Sequence, residues 1–212
     1  MATGWEAERE QVASIMRRLY RQGLTTCSGG NVSLRCGVVI LITPSGTDKG
    51  EITAEEIGAV TPEGDNLLPG LRLSIETEMH LEVYRNRPDV NGIVHAHPVT
   101  ASAFAALDRD IDTRLTAETW HVLGMPVRAP YALMGTAELA RAVGQAAGKG
   151  NAVIMENHGV LTVGRTLFEA FDRLELLEAA AKMTWITHTM GSPRPLTEAR
   201  IQEMEEVYGR RK

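Results

Sequence analysis

Two histidines separated by one residue carry the clearest chemical signal in the sequence. His95 and His97 follow an apolar, β-branched stretch, Val90 to Val94, which predicts a buried strand. Side chains at positions i and i+2 of a strand point to the same face, so both imidazoles can reach one point in space. Such a pair can grip a divalent metal, and Pro98 ends the strand where a site would open. A pair of hydrogen-bonded core or surface histidines is the alternative interpretation.

A third candidate ligand, His158, lies 61 residues after His97 (158 − 97). It stands between two apolar runs, Ala152 to Met155 and Val160 to Val163. Because Gly159 is free to take positive φ, we expect His158 at the tip of a tight strand connection. A lone histidine in a turn is otherwise simply polar and exposed. Three neutral imidazoles with an open position, however, form the usual catalytic Zn²⁺ arrangement, and Mn²⁺, Co²⁺ or Fe²⁺ also accept imidazole.

Two loops of small residues and one helix start are candidate sites for an anion. The loops, Ser28 to Asn31 and Thr43 to Thr47, expose backbone N–H groups and hydroxyls, which can cradle a phosphate without a lysine. Plain turn chemistry is the alternative. We predict that Ser74 caps a helix from Ile75 to about Arg85, where its hydroxyl and the first-turn amides could face an anion. Glu76 in that turn either favours the helix dipole or acts as a general base beside the metal.

The other histidines and acidic residues have no comparable placement. His80, His121 and His188 are interpreted as structural or surface residues. Glu118 and Glu156 lie near candidate segments, but neither carries a sharper signal of its own.

The composition is that of one soluble domain, residues 1–212, with 43% hydrophobic and 23% charged residues. A formal charge of −5 argues against a nucleic-acid interface, which would be basic. No apolar run reaches the ~18 residues of a membrane span, and the first residues are unlike a signal peptide. Without an export signal, Cys27 and Cys36 are expected to be reduced thiols in a cytoplasmic protein.

The hydrophobic pattern predicts an α/β domain in which helices and strands alternate. A long helix from Thr166 to about Met190 carries an apolar stripe typical of a core-facing helix: Leu167, Phe171, Leu174, Leu177, Ala181 and Trp185. The other predicted helices cover about 5–22, 54–57, 100–107, 117–123, 137–147 and 197–208, and the other predicted strands cover 31–35, 38–43 and 125–128.

Taken in order, these segments resemble the class II aldolase/adducin family across nearly the whole chain. The matching pieces are Gly30-Asn31-Val32-Ser33, Thr43-Pro44-Ser45-Gly46, Glu76, His95-x-His97, Ala129-Pro130-Tyr131 and Asn157-His158-Gly159-Val160. Each piece is modest in specificity, but the ordered set is strong. The resemblance implies an α/β/α sandwich with a central, mostly antiparallel sheet, assembled as a homotetramer with active sites between subunits.

The resemblance also implies a role for each matching residue. His95, His97 and His158 would hold a divalent metal, usually zinc, and Glu76 would be the acid/base. The substrate phosphate would bind to Gly30, Asn31, Ser45, Gly46 and Ser74. Tyr208 matches a C-terminal tyrosine that reaches into a neighbour's site; on its own, a late tyrosine indicates packing or surface.

The sequence departs from the family pattern at two places. Ile75 stands where the aldolases carry a second serine just before the glutamate, so one phosphate hydroxyl is missing. The segment from Leu115 to Trp120 lacks a mid-chain tyrosine, and Glu118 or Trp120 would occupy its region. These differences leave room for a more apolar aldehyde end than that of fuculose 1-phosphate, as in 5-deoxy- or 5-methylthio-ribulose 1-phosphate.

The expected activity is reversible cleavage of a ketose 1-phosphate to dihydroxyacetone phosphate and an aldehyde. Two other reactions fit the same residues: dehydration of methylthioribulose 1-phosphate and 4-epimerisation of ribulose 5-phosphate. A non-catalytic, adducin-like module is a further alternative, although pure scaffolding needs neither Glu76 nor three metal-type histidines. Tyr208 favours the aldolase.

Overall fold

The structure, a computed structural model, describes residues 4–209, in which helices and strands alternate. The strands are β1 (Asn31–Cys36), β2 (Val39–Ile42), β3 (Gly58–Val60), β4 (Gly92–Ala96), β5 (Val127–Ala129), β6 (Ala152–Met155) and β7 (Gly159–Gly164). The helices are α1 (Glu6–Arg21), α2 (Thr77–Asn86), α3 (Val99–Ala105), α4 (Ala117–Leu123), α5 (Ala137–Ala147), α6 (Leu167–Met190) and α7 (Glu198–Tyr208). Short 3-10 helices span Ala54–Glu56 and Thr113–Leu115.

The strands form one sheet in the order β3-β2-β1-β4-β7-β6-β5. All neighbouring pairs are antiparallel except β5 and β6, which are parallel. Alternate strand residues enter two apolar layers: Ala152 and Ile154 pack with α1, α3 and α6, whereas Val153 and Met155 pack with α2 and α5. The expected α/β/α sandwich with a mostly antiparallel sheet is confirmed.

The start of α2 differs from the prediction. The Ser74 hydroxyl accepts a hydrogen bond from the Glu76 amide at 3.2 Å, and the Thr77 amide donates to the Ser74 carbonyl at 3.2 Å. Residues 74–77 therefore form a turn, the helix begins at Thr77, and the prediction of a helix start at Ile75 is wrong. Glu76 consequently stands outside the regular helix.

The apolar stripe of α6 is confirmed as far as Ala181 but is wrong at Trp185, which is 62% exposed. The last turns of α6, after Thr184, are mostly exposed, so the C-terminal end of the helix extends beyond the apolar layer on which the rest of it packs. The strand β3, which pairs with β2 at the sheet edge, was not indicated by its short sequence Gly-Ala-Val. No helix within residues 4–209 is long and apolar enough to cross a bilayer.

Replacing Gly92 in β4 by alanine should destabilise the fold by about 1–3 kcal/mol. A Cβ at this position would lie 2.6 Å from the Leu167 Cα and 2.7 Å from the Thr166 carbonyl oxygen, and backbone atoms cannot move aside easily. Urea unfolding should show a lower midpoint with an unchanged slope. Gly70→Ala is the control, because a Cβ added there would meet no heavy atom within 4 Å beyond its chain neighbours. Equal midpoints for the two variants would contradict the packing argument.

Candidate active site

Strand β4 carries the first two candidate ligands at the centre of the sheet, between β1 and β7. His95 is fully buried and pairs with Asn31 of β1 and Leu161 of β7. His97 follows the end of the strand, and its ring centroid lies 4.8 Å from that of His95 with the two ring planes perpendicular. The two rings therefore meet as the i, i+2 spacing predicts, although β4 ends one residue before His97.

His158 lies in the turn between β6 and β7 and joins the other two rings. Its ring centroid is 4.9 Å from that of His95 and 5.6 Å from that of His97. Asn157 takes the positive φ in this turn, at 53°, so the expectation that Gly159 takes it is wrong. Gly159 instead allows the His97 ring to pack closely against the backbone, because a Cβ at this position would lie 2.5 Å from His97 Cδ2.

The three rings offer nitrogens that lie within 4.8 Å of one another. His95 Nδ1 donates to the Val160 carbonyl oxygen at 2.9 Å, so a neutral His95 leaves a lone pair on Nε2. Burial, followed by the nearby His95, lowers the pKa of His97 to about 3 and holds the pKa of His158 below its usual value. Both rings are therefore neutral at pH 7, which is the form that binds metals.

Glu76 lies against two of these rings. Its Oε1 is 3.2 Å from His158 Nε2, and its Oε2 is 3.4 Å from His95 Nε2. Burial acts to raise the pKa of Glu76, but His95 and the Asn31 amide outweigh it and hold the pKa below its usual value. The carboxylate is therefore ionised at neutral pH, beside Nε2 of His95.

This donor set fits a divalent cation. Glu76 Oε1 and His95 Nε2 are buried and have no hydrogen-bond partner within residues 4–209. Buried polar atoms normally have a partner, and a cation would supply one for both. Three imidazole nitrogens with room for oxygen ligands match catalytic Zn²⁺ sites and also suit Mn²⁺, Co²⁺ or Fe²⁺.

A chain of buried hydrogen bonds runs from Glu76 through Asn31 to His80, Ser33 and Tyr84. Asn31 Nδ2 donates to Glu76 Oε2 at 2.7 Å, and Asn31 Oδ1 is 2.5 Å from His80 Nε2. The other His80 nitrogen, Nδ1, is 2.6 Å from Ser33 Oγ, which lies 2.8 Å from the Tyr84 hydroxyl. Burial lowers the pKa of His80 to about 3, so the neutral ring donates to Asn31 and accepts from Ser33.

His80 is thus structural, as expected, but the sequence pattern did not indicate what it supports. Its contacts orient the Asn31 amide so that the NH₂ group faces the Glu76 carboxylate. A spacing of four residues between Glu76 and His80, about one helical turn, was the available signal, and it is common in helices without any such role.

A cavity of about 340 Å³ opens beside the cluster. Its described lining combines both glycine loops, the turn before α2 and two of the histidines: Ser28, Gly29, Gly30, Asn31, Pro44, Ser45, Lys49, Ser74, Ile75, Glu76, His97, Met134 and His158. Gly30 has a φ of 69°, and a Cβ there would lie 2.7 Å from the His95 carbonyl oxygen. Gly46, with a φ of 72°, follows Ser45 but is not among the lining residues.

Comparison with known proteins agrees with this geometry. Residues 10–185 match the sequence model of the family described as Class II Aldolase and Adducin N-terminal domain. The chain belongs to the class II aldolase and adducin family.

Members of the family with different named activities resemble the chain to a similar degree. An L-fuculose phosphate aldolase of Methanococcus maripaludis is 35% identical over 176 residues, 83% of this chain and 95% of that protein. A 3-oxo-tetronate 4-phosphate decarboxylase of Haemophilus influenzae is 31% identical over 94% of this chain and 96% of that protein. A 5-deoxy-D-ribulose 1-phosphate aldolase of Bacillus thuringiensis is 30% identical over 96% of each. A solved L-fuculose 1-phosphate aldolase superposes with a TM-score of 0.87 at 29% identity, covering 98% of both chains.

Tyr208 is not brought to the cavity within a single chain. It is 73% exposed on α7, and its ring centroid lies 5.9 Å from that of His121. Glu118 is exposed on α4, and Trp120 is half-buried, with the Arg114 guanidinium 5.8 Å from its ring centroid. None of the three lines the cavity described above, so their assignment to a class II aldolase site stays a prediction.

Lys49 is the candidate residue that the sequence pattern missed. The expectation of a phosphate cradle without a lysine overlooked it, yet Lys49 is 1% exposed and lines the cavity. Its position three residues after Gly46 was the available signal, but most lysines are solvated, so the residue type gave no reason to place it inside.

Substituting His158 by alanine should weaken metal binding by more than about 100-fold, because a three-nitrogen site would lose one ligand. Metal content per chain, measured by elemental analysis after dialysis, should fall far below that of the unsubstituted protein. His188→Ala removes an exposed imidazole of α6 and should leave the metal content unchanged. An unchanged metal content in His158→Ala would exclude His158 as a ligand.

Proposed function

We propose that this protein is a divalent-metal-dependent aldolase that cleaves a ketose 1-phosphate to dihydroxyacetone phosphate and an aldehyde. One observation carries the proposal: three imidazoles and an ionised, buried carboxylate meet beside a cavity that is also lined by both glycine loops. The imidazoles can hold a metal ion as a Lewis acid beside Glu76 as the acid/base, and the glycine loops can bind a phosphate. Zinc is the expected metal, with Mn²⁺, Co²⁺ or Fe²⁺ as alternatives.

The side chains divide the work between binding and proton transfer. A bound divalent cation supplies Lewis acidity towards the oxygens of the ketose. Glu76 adds or removes the proton at C3 of dihydroxyacetone phosphate, and the Asn31 amide keeps its carboxylate ionised and fixed. Ser45 and Ser74 offer hydroxyls, and the backbone around Gly30 and Gly46 offers amides, to the phosphate.

Tyr208 would supply the proton to or from the C4 oxygen in a neighbouring subunit. The exposure of Tyr208 on its own chain supports a role outside that chain. A homotetramer with active sites between subunits would also cover some of the large apolar side chains that one chain leaves exposed, among them Val99, Leu107 and Trp185.

A second candidate, decarboxylation of a 3-oxo acid phosphate, is favoured by the Haemophilus influenzae relative, which matches over 94% of this chain. Such a reaction can use the same carboxylate and phosphate loops, with a carboxylate leaving as carbon dioxide in place of an aldehyde. Dehydration of methylthioribulose 1-phosphate and epimerisation of ribulose 5-phosphate remain further alternatives on the same site. A non-catalytic module has no use for Glu76 and its buried hydrogen-bond chain.

The deciding experiment incubates metal-replete protein with 5-deoxy-ribulose 1-phosphate, 5-methylthioribulose 1-phosphate, fuculose 1-phosphate, ribulose 5-phosphate and a 3-oxo-tetronate 4-phosphate. The aldolase releases dihydroxyacetone phosphate together with an aldehyde from a ketose 1-phosphate. The decarboxylase releases carbon dioxide from the 3-oxo-tetronate 4-phosphate and leaves dihydroxyacetone phosphate without an aldehyde. The epimerase only interconverts pentulose phosphates. A dehydrated product without dihydroxyacetone phosphate would identify the dehydratase. Turnover of none of these compounds would support the non-catalytic module.

Glu76→Gln should retain the metal but lose exchange of the C3 proton of dihydroxyacetone phosphate with solvent by about 10²–10⁴-fold, since the amide cannot carry that proton. Proton NMR in deuterated water measures the exchange without requiring the aldehyde. Glu78→Gln, two residues away and exposed, is the matched control. Undiminished exchange in Glu76→Gln would remove Glu76 from the acid/base role.

Tyr208→Phe should slow cleavage by about 10²-fold while leaving the C3 proton exchange intact, because it affects only the C4 oxygen. Co-assembling Tyr208→Phe with Glu76→Gln tests whether the tyrosine acts across subunits. Mixed oligomers should regain cleavage, since one chain supplies Glu76 and the other supplies Tyr208. Failure to regain activity in proven mixed oligomers would place Tyr208 in its own chain's site or outside the chemistry.

A further inference from the structure

Lys49 lies at the junction of the two glycine loops. Its backbone amide donates to the Cys27 carbonyl at 2.8 Å, directly before the Ser28-Gly29-Gly30 loop. Its Nζ donates to the Pro44 carbonyl, directly before Ser45. One residue therefore ties together both segments that expose amides and hydroxyls to the cavity, and its own side chain lines that cavity.

The Lys49 ammonium carries a buried charge without a salt-bridge partner among residues 4–209. The hydrogen bonds of residues 4–209 give its three N–H groups one acceptor, the Pro44 carbonyl, and no carboxylate of those residues forms a salt bridge with it. Burial lowers the pKa of Lys49 to about 8, while the more distant Glu56 acts in the opposite direction. The group is therefore still mostly protonated at pH 7, and an unpaired buried ammonium is costly unless a ligand neutralises it.

The remaining lining offers little else to neutralise an anion. Lys49 is the only lysine or arginine among the described residues of the cavity. Ile75 stands 54% exposed next to Ser74, where it offers no side-chain donor to an anion. The hydroxyls of Ser45 and Ser74 and the loop amides can orient a phosphate, but they contribute only partial charges.

A purely structural role would not require the charge. Any neutral donor of suitable length could bond to the Pro44 carbonyl and hold the loop, without the desolvation penalty of an ammonium. The free-energy cost of burying the Lys49 ammonium is explained if its charge contacts an anionic ligand.

We propose that the Lys49 ammonium is the counter-charge for the phosphate group of the ligand and makes the cavity selective for phosphorylated over unphosphorylated ketoses. This inference rests on the proposed function, which identifies the phosphorylated ligand as a ketose 1-phosphate. Lys49 acts as a specificity-determining residue: it contacts the phosphate and takes no part in breaking the carbon–carbon bond.

Steady-state kinetics of Lys49→Gln and Lys49→Met test the proposal. Gln can keep a hydrogen bond to the Pro44 carbonyl without the charge, whereas Met removes both. In both variants KM for the ketose 1-phosphate should rise about 10–100-fold, as expected for loss of a charge-assisted hydrogen bond, with kcat changed less than KM. Activity with the unphosphorylated ketose should not change, and Lys149→Gln, the same change on an exposed lysine, should behave like the unsubstituted enzyme. An unaltered preference for the phosphorylated ketose in Lys49→Gln would overturn the proposal.

Titration with inorganic phosphate separates this proposal from the aldolase assignment. Calorimetry on the metal-replete protein should show phosphate binding that weakens at least about 10-fold in Lys49→Gln and is largely retained in Lys49→Arg. Equal phosphate affinity of Lys49→Gln and the unsubstituted protein would contradict the proposal, because it would indicate that the metal alone holds the phosphate. Absence of phosphate binding by the unsubstituted protein would contradict it as well. If no ketose phosphate is cleaved but phosphate binding still depends on Lys49, the proposed aldolase activity is wrong and the anion site stands. Should Lys49→Gln not fold, the comparison of Lys49→Arg with Lys49→Met decides.

Discussion

The Glu76 carboxylate lies against Nε2 of His95, and the rest of the site is arranged around this buried pair. Neither group is free to turn away, because the Val160 carbonyl holds His95 Nδ1 and the Asn31 amide holds Glu76 Oε2. Both side chains are buried, so bulk water cannot supply the hydrogen-bond partners that Glu76 Oε1 and His95 Nε2 lack among residues 4–209. A cation is a partner that both groups can bind at once, which favours a metal site over a hydrogen-bonded histidine cluster.

The antiparallel sheet explains why residues far apart in sequence meet at this point. Because these neighbouring strands run in opposite directions, the start of β1, the end of β2, the end of β4 and the start of β7 lie side by side at the same end of the strands. Asn31 is opposite His95, and Val160 is opposite Ala96, so the partners of the cluster are fixed by strand register. A slip of one residue in β4 would turn His95 to the other face of the sheet and separate it from Glu76.

Sequence reasoning found what depends on local spacing and missed what depends on burial. The i, i+2 histidines and the turn around His158 follow from strand and turn geometry, so they could be anticipated. The hydrophobic pattern indicated an α/β domain, whereas the sandwich with a mostly antiparallel sheet was implied only by the family resemblance. Lys49 and His80 could not, because their types are compatible with solvent or core, and only packing shows what each contacts. The start of α2 was misplaced for a related reason: Ser74 closes a turn onto Glu76, a local competitor of the helix cap that the sequence cannot distinguish from it.

The residues proposed to act on the metal and phosphate side of the substrate and those proposed to act on its aldehyde side differ in how firmly a single chain positions them. The histidines lie in or directly beside the central strands, and the Asn31 amide of β1 holds Glu76. The two glycine loops are joined by Lys49, so both parts of the site should form in one folded chain. Helix α7, which carries Tyr208, has 11 residues, and Ile201 is its one buried residue in the described part of the chain. A helix of this length is marginal without packing, so its position must depend on whatever covers it. In the proposed aldolase, proton transfer at the aldehyde end would therefore depend on assembly, whereas metal and phosphate binding would not.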